Sequence, residues 1–366
     1  MKKKIFILFF VVLWLVTQSY AQSNFRVKDG TDEIEEKLNE VKAEGLPGFA
    51  FAVIKGDQVI FEKYAGLADM TDKKPIDQNS QFYIASIAKT FTAAAVLLLA
   101  EQKEIQLEDH ISQYLDNLPN CTKDVCVFHL LTHTSGIPDY YEHLGEDLKD
   151  FYNEDLLRFV RQIDSLDFEP GVDYSYSNTA YVLLAEIIEK ASGLPYSEFL
   201  EKNIFRPLGM ENTQVMDHPD ISIKNRIKGY DLDNETQSVS LNDYTDIYTV
   251  GGGGIYSSLN DMITWYLSLR NHRLLSEKST ELMFYFPVTD SGKISYMTMG
   301  WFNETFGKKT PELEGLRAYG AIGMLKGFRA ILKFFPDHDL AYITLSNRGE
   351  LPIWAWDIGK AFFERE

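Results

Sequence analysis

FRAILKFFPDHDLAYITLS, residues 328–346, holds two runs rich in β-branched and aromatic residues on either side of Pro336-Asp337-His338-Asp339. Phe328–Phe335 and Leu340–Ser346 therefore read as the two strands of a hairpin. A second hairpin lies near the other end of the chain, in Gly48–Phe61, where Phe49–Ile54 and Gln58–Phe61 flank Lys55-Gly56-Asp57. The stretch between them is mostly helical in character. Ala88–Gln102 is rich in Ala and Leu and has no Gly or Pro. Thr179–Ala191 is a second apolar helix, with Gly193 just past its end. Leu259–Leu269 is a third, preceded by Ser257 and Ser258 as candidate caps. A C-terminal helix is expected over Pro352–Phe363. Strands at both ends with helices between them predict an α+β fold: an antiparallel sheet built from both chain ends, flanked by helices, with an inserted mostly helical lobe over roughly residues 86–250. The cleft between the two lobes is the natural place for a site.

The first 21 residues stand apart from this pattern. Lys2, Lys3 and Lys4 precede an uncharged apolar run from Ile5 to Val16, and Ser19 and Ala21 are spaced as small residues before a cleavage point. This is the pattern of a secretory leader, with an apolar stretch short for a bilayer span. An uncleaved membrane anchor is the competing reading. The expectation is a signal peptide over residues 1–21 and a mature chain of 345 residues, Gln22–Glu366. Such a protein is exported, periplasmic or extracellular, and has no stable membrane insertion after cleavage. Losing three lysines with the leader lowers the formal charge from −18 to −21. A surface that acidic argues against nucleic acid or an anionic membrane as the partner. The two cysteines, Cys121 and Cys126, are close enough in sequence for a disulfide in an oxidising compartment, or for two free thiols. They are too few ligands for a metal site.

Ser86-Ile87-Ala88-Lys89 opens the strongest helix. Residues three apart on a helix share a face, so the Ser hydroxyl and the Lys amine come within reach of each other. The helix N-terminus favours negative charge developing at the serine, and a buried lysine with a lowered pKa can take the serine proton. Alone the spacing says little, because Ser-x-x-Lys arises about once by chance in a chain this long. Tyr176-Ser177-Asn178 supplies a second pair: in an extended segment residues i and i+2 point the same way, so a hydroxyl and an amide can face one substrate. By itself it reads as a turn Asn beside a packed Tyr.

Five blocks in order change that reading. Phe82–Lys89, His129–Gly136, Glu169–Gly171 with Tyr176–Asn178, Phe205–Met210 and Gly252–Ser258 together resemble the serine β-lactamase and penicillin-binding protein superfamily. The resemblance is to the branch that joins class C β-lactamases, D-alanyl-D-alanine carboxypeptidases, esterases and D-aminopeptidases, and it covers about Gly45 to Asn347. It implies that residues 22–366 form one β-lactamase-like serine hydrolase domain, needing no cofactor. It makes Ser86 the acylated nucleophile, Lys89 its base, Tyr176 the group that moves protons to and from the leaving group, and Asn178 a binder of the substrate amide. His129 and His133 look like a metal pair at i and i+4, but the resemblance puts them in a structural segment and no third ligand is evident. No metal is expected.

One family motif is altered. The resemblance calls for Lys-Thr-Gly or His-x-Gly on a strand beside the site, shortly before a Gly-Phe. Counting back six from Gly327 puts Ala321 at the cationic position, while Gly323 keeps the glycine. Alanine cannot hold a carboxylate or donate a proton. The backbone N–H of Met324 still offers an oxyanion donor with that of Ser86, because a main-chain donor does not depend on side-chain identity. Lys326 lies five residues on from Ala321; at that odd offset on a regular strand it is expected to face away from Ser86. The expected function is an acyl-enzyme hydrolase acting on an ester, an amide or a D-amino-acid-containing peptide. Its substrate is a small molecule or peptide, with cell-wall fragments among the candidates. A binding-only relative and a true class C-like β-lactamase are the alternatives.

Overall fold

The computed structural model of the protein describes residues 25–145, 148–233, 238–243, 247–304, 313–356 and 358–365. The leader expected over residues 1–21 lies outside these. The named elements, in chain order, begin with strand β1 (Phe25–Val27), helix α1 (Thr31–Glu44) and strands β2 (Phe49–Lys55) and β3 (Gln58–Ala65). Helices α2 (Ala88–Glu101), α3 (Asn178–Ser192) and α4 (Leu259–Arg270) follow. Strands β4 (Met297–Thr298), β5 (Trp301–Asn303), β6 (Tyr319–Leu325), β7 (Phe328–Phe335), β8 (Leu340–Ser346) and β9 (Phe363–Arg365) complete the set.

The two predicted hairpins meet. Strand β8 pairs antiparallel with β2 from Leu340↔Lys55 to Ser346↔Phe49, which closes a seven-stranded antiparallel sheet of order β4-β5-β6-β7-β8-β2-β3. The α+β architecture is therefore as the patterning requires, with the central strands buried on both faces. In β2 the side chains alternate by size as well as by direction. Phe49, Phe51 and Val53 enter a core with Ile34, Leu38 and Val41 of α1. Ala50, Ala52 and Ile54 enter the larger core shared with α2 and α3. Small residues on that second face let the helical lobe approach the sheet closely.

Helix α2 lies deep within the lobe. Every residue from Ala88 to Leu97 is buried, so the helix is covered on all sides. Its Phe91 stacks on Trp265 of α4 at 4.1 Å between ring centroids, and Trp265 Nε1 donates to Thr90 Oγ1 at 3.1 Å. The first turn of α2 is thus rigidly held, and that turn carries Lys89.

The C-terminal segment differs from the single helix expected over Pro352–Phe363. It forms two short helices, Ile353–Trp356 and Gly359–Phe362, and then turns extended as β9. Pairing of Phe363–Arg365 with Phe25–Val27 pulls the end of the segment into a ladder, and Gly359 is a weak helix residue that does nothing to resist it. Cys121 and Cys126 are both free thiols. The first lies 3.8 Å from the carbonyl of Ile163 and the second 3.3 Å from His129 Nδ1. Among the described residues no helix is long and apolar enough to cross a membrane.

Candidate active site

The short strand Phe82–Tyr83 leads into α2 through one turn of tighter helix, Ala85–Ile87. Ile84 anchors the bend: its N–H donates to Ile255 O at 3.0 Å and its carbonyl accepts from Ile87 N at 3.1 Å. Ala85 is forced to φ +45°. For a residue with a Cβ this costs on the order of 1–3 kcal/mol, and such strain persists only where the surroundings impose it. The result is a half-buried Ser86 at the head of α2.

Ser86 Oγ has two partners. Lys89 Nζ lies 3.1 Å away and the Tyr176 hydroxyl 2.9 Å away. Lys89 is 1 % exposed, and its Nζ also donates to Asn178 Oδ1 and to Gly252 O, each at 2.8 Å. Burial pulls the amine down to about 7, with the Asp139 carboxylate opposing the fall. Near neutral pH it therefore samples both charge states. As an ammonium it meets three acceptors. As a neutral amine it has two N–H groups and one lone pair. Asn178 Oδ1 and Gly252 O take the two N–H groups, which leaves the lone pair facing the Ser86 hydroxyl.

Tyr176 is packed against two aromatic rings. His133 stacks on it at 4.9 Å between centroids and Phe302 at 6.2 Å. Burial raises the phenol well above its ordinary pKa, with the Ser86 hydrogen bond opposing the rise, so it carries its proton. The turn from Tyr176 to Asn178 is pinned to the segment around His133. Ser175 N donates to His133 O at 3.0 Å, Ser177 N donates to His133 Nδ1 at 3.1 Å, and Ser177 Oγ donates to Ile137 O at 3.4 Å. His133 itself is pushed down to about 3 by burial, with Lys89 beside it, and stays neutral. His129 turns instead to Cys126, accepting from its N–H at 3.2 Å. The two rings do not converge, and among the described residues no group of three or more His, Cys, Asp or Glu is placed to hold a metal.

The carbonyl of Gly252 comes from a loop the chain threads between α2 and α3. Gly251 there has φ +91°, and a Cβ on it would lie 2.2 Å from Tyr181 O. Glycine is required at that approach. Thr92 Oγ1 donates to Gly251 O at 2.7 Å and Gly254 N donates to the Tyr83 hydroxyl at 2.9 Å, which fixes the loop on both flanks.

Strand β6 forms the opposite wall. It pairs with β5 only at Tyr319 and Gly320. Beyond these, its edge lies against the Ser86 turn: a Cβ at Gly323 would stand 2.1 Å from Ile84 O. The alignment of Gly323 with the nucleophile turn thus follows from contact distance. Ala321 shares the face of Gly323 and is fully buried, while Met324 is 56 % exposed. Lys326 occupies the two-residue turn between Leu325 and Phe328. It lies past the end of the regular strand, so the alternation argument applied to it from sequence does not govern its direction.

The structure thus brings Ser86, Lys89, Tyr176 and Asn178 into one hydrogen-bonded cluster, with Gly323 against its edge and Met324 next along the strand. Two participants were not singled out from sequence. Gly252 acts through its backbone, and Asp139, which bonds Asn178, lies 39 residues away from it. The glycine run Gly251–Gly254 is a visible signal for the first; Asp139 looks only like the cap of the helix Tyr140–Leu144.

Residues 31–353 match the family described as Beta-lactamase, and the chain belongs to that family. Within it the chain is similar to penicillin-binding protein 4* of Bacillus subtilis (strain 168), at 31% identity over 312 residues, covering 81% of this chain and 67% of that protein. It is 30% identical over 305 residues to a D-aminopeptidase of Brucella anthropi, covering 82% of this chain and 56% of that enzyme. The chain thus spans little more than half the length of that relative. Among solved structures, the octameric penicillin-binding protein homologue from Pyrococcus abyssi superposes with a TM-score of 0.76 at 25% identity, over 90% of this chain and 77% of that one. The family therefore includes serine hydrolases that act on amide bonds.

Proposed function

We propose that this protein is an exported serine hydrolase that cleaves neutral esters or amides through an acyl-enzyme on Ser86. The observation that carries the reading is the position of one hydroxyl, Ser86 Oγ, between an amine at 3.1 Å and a phenol at 2.9 Å. In the first half-reaction Ser86 Oγ attacks the substrate carbonyl and its proton passes to the lone pair of Lys89. Tyr176 supplies a proton to the departing alcohol or amine and is reprotonated from Lys89, so the one proton that left Ser86 ends on the leaving group. The negative charge on the tetrahedral oxygen is met by the backbone N–H groups of Ser86 and Met324. In the second half-reaction water takes the place of the leaving group, the acid is released and Ser86 regains its proton. An amide nitrogen carries two N–H groups, and Asp139 takes one from Asn178 at 3.0 Å; the other is available to a substrate carbonyl.

The preference for neutral substrates rests on β6. A fully buried Ala321 stands where the family motif has a cation, so a substrate carboxylate has no charged partner from that position. The name of one relative, the D-aminopeptidase, points to peptides of D-amino acids as candidates. Export rests on the leader pattern of residues 1–21. The test is hydrolysis of a panel of p-nitrophenyl esters, D-amino-acid amides, D-alanyl-D-alanine peptides and a chromogenic cephalosporin. The reading predicts turnover of the esters or the neutral amides above the others. Turnover of the carboxylate-bearing members alone contradicts it.

A further inference from the structure

Asp139 is a carboxylate buried to 7 % exposure at the edge of the catalytic cluster. Its Oδ1 accepts from Tyr141 N at 2.9 Å, capping the helix Tyr140–Leu144. Its Oδ2 faces the other way and accepts twice from one residue: from Asn178 N at 2.5 Å and from Asn178 Nδ2 at 3.0 Å. An ionised carboxylate can only accept. The nitrogen of the Asn178 amide must therefore face Asp139, and its oxygen must face Lys89, where it lies 2.8 Å from Nζ. Reversing the amide would set oxygen against carboxylate and N–H against amine N–H, two repulsive contacts in a buried place.

The orientation of Asn178 matters because of what it does to Lys89. With Oδ1 and Gly252 O both accepting, the two N–H groups of the neutral amine are used and the lone pair is left for Ser86. We propose that Asp139 is a positioning residue: it fixes which way the Asn178 amide faces and, through it, aims the Lys89 amine at Ser86. The inference rests on the acyl-enzyme reading and assigns a further residue to that site.

Asp139 has a second effect on the same amine. The other groups that face Lys89 are Asn178 and Tyr181 on α3, Tyr176 before it, and His133 from the adjoining segment. His133 is pushed down to about 3, and burial raises Tyr176 and Tyr181, so these three are uncharged near neutrality. Asp139 is the charge that holds the proton on Lys89. Removing it lowers the Lys89 pKa further, so the pH below which the neutral base disappears moves down.

The test is the rate at which a fluorophosphonate labels Ser86, followed as a function of pH in wild type, Asp139→Asn, Asn178→Ala and the double variant. Asp139→Asn should label roughly 10- to 100-fold more slowly on the plateau, the loss expected for one charge-assisted hydrogen bond. Its acid limb should lie about one pH unit below that of wild type. The double variant should be no slower than Asn178→Ala, because Asp139 acts through that side chain. An unchanged rate, a slower rate with the limb unmoved, or losses that multiply would each overturn the proposal. Should Asp139→Asn fail to fold, Asn178→Ala decides alone: a loss of rate supports the relay, and labelling at the wild-type rate overturns it. Absence of labelling in wild type overturns the acyl-enzyme reading itself, and the role of Asp139 with it.

Discussion

On one side of Ser86 stand Lys89, Tyr176, Asn178 and Asp139, and each polar side chain there bonds another across 2.8–3.1 Å. On the other side strand β6 presents Ala321, Gly323 and Met324, none of which carries a charge. The first wall is made of side chains that constrain one another: changing the Asn178 amide disturbs Lys89, and changing Lys89 disturbs Ser86. The second acts through its main chain, and its contact with the Ser86 turn depends on the absence of a side chain at Gly323. The two walls answer to different demands. Proton handling is common to acyl transfer on any substrate and needs the whole polar set. On the proposed reading, recognition of a particular substrate falls to the strand, where the uncharged Ala321 stands beside a complete polar wall.

Breaking the polar wall should cost most. Ser86→Ala should reduce ester turnover by roughly 10³- to 10⁶-fold while thermal unfolding stays close to wild type. Lys89→Ala and Tyr176→Phe should each slow acylation by about 10²- to 10⁴-fold in stopped-flow measurements. The double variant should be little slower than Lys89→Ala, because the two act on one proton; losses that simply multiply would separate them. The same wall sets the pH dependence. With neutral Lys89 as the base, as proposed, acylation should rise with pH through about 7 and level off above it, falling about tenfold per unit below that point. An acid limb near pH 4 instead would assign the base to a carboxylate.

The strand wall should respond less, and in a different quantity. Gly323→Ala forces a Cβ to within 2.1 Å of Ile84 O unless the backbone moves. A shift of about 1 Å between β6 and the nucleophile turn should lower kcat roughly 10²-fold. Ala321→His should change selectivity more than overall rate. A charge-assisted bond to a carboxylate contributes about 1.5–3 kcal/mol, which is roughly a 10- to 150-fold gain for a carboxylate-bearing ester over its neutral analogue. Because Ala321 is fully buried, the larger ring should also lower stability by about 1–3 kcal/mol. Efficient cephalosporin hydrolysis by wild type, lost in Lys326→Ala, would instead locate the missing cation in the β6–β7 turn.

The same contrast explains what could be read before the structure. The sheet was legible because both hairpins announce themselves locally, in runs such as Phe49–Ile54 and Phe328–Phe335, and because strands at both ends of a chain can satisfy their edges by pairing together. Ser86 and Lys89 were legible because three residues apart on a helix is a contact. Asp139 was not: its bond to Asn178 is made across 39 residues, and its own neighbourhood reads as an ordinary helix cap. Gly252 contributes a carbonyl, which every residue has. The C-terminal segment departs from the single helix its sequence predicts for a related reason, since its last residues pair with Phe25–Val27 at the far end of the chain.

The central claim is that Ser86 is the nucleophile of a working acyl-transfer site, and intact-mass spectrometry after exposure to a fluorophosphonate tests it most directly. The account predicts a single adduct, mapped by peptide digestion to Ser86, absent from Ser86→Ala, and formed faster as pH rises through about 7. Full labelling of Ser86→Ala at another residue, or no adduct on wild type at any pH, would contradict it.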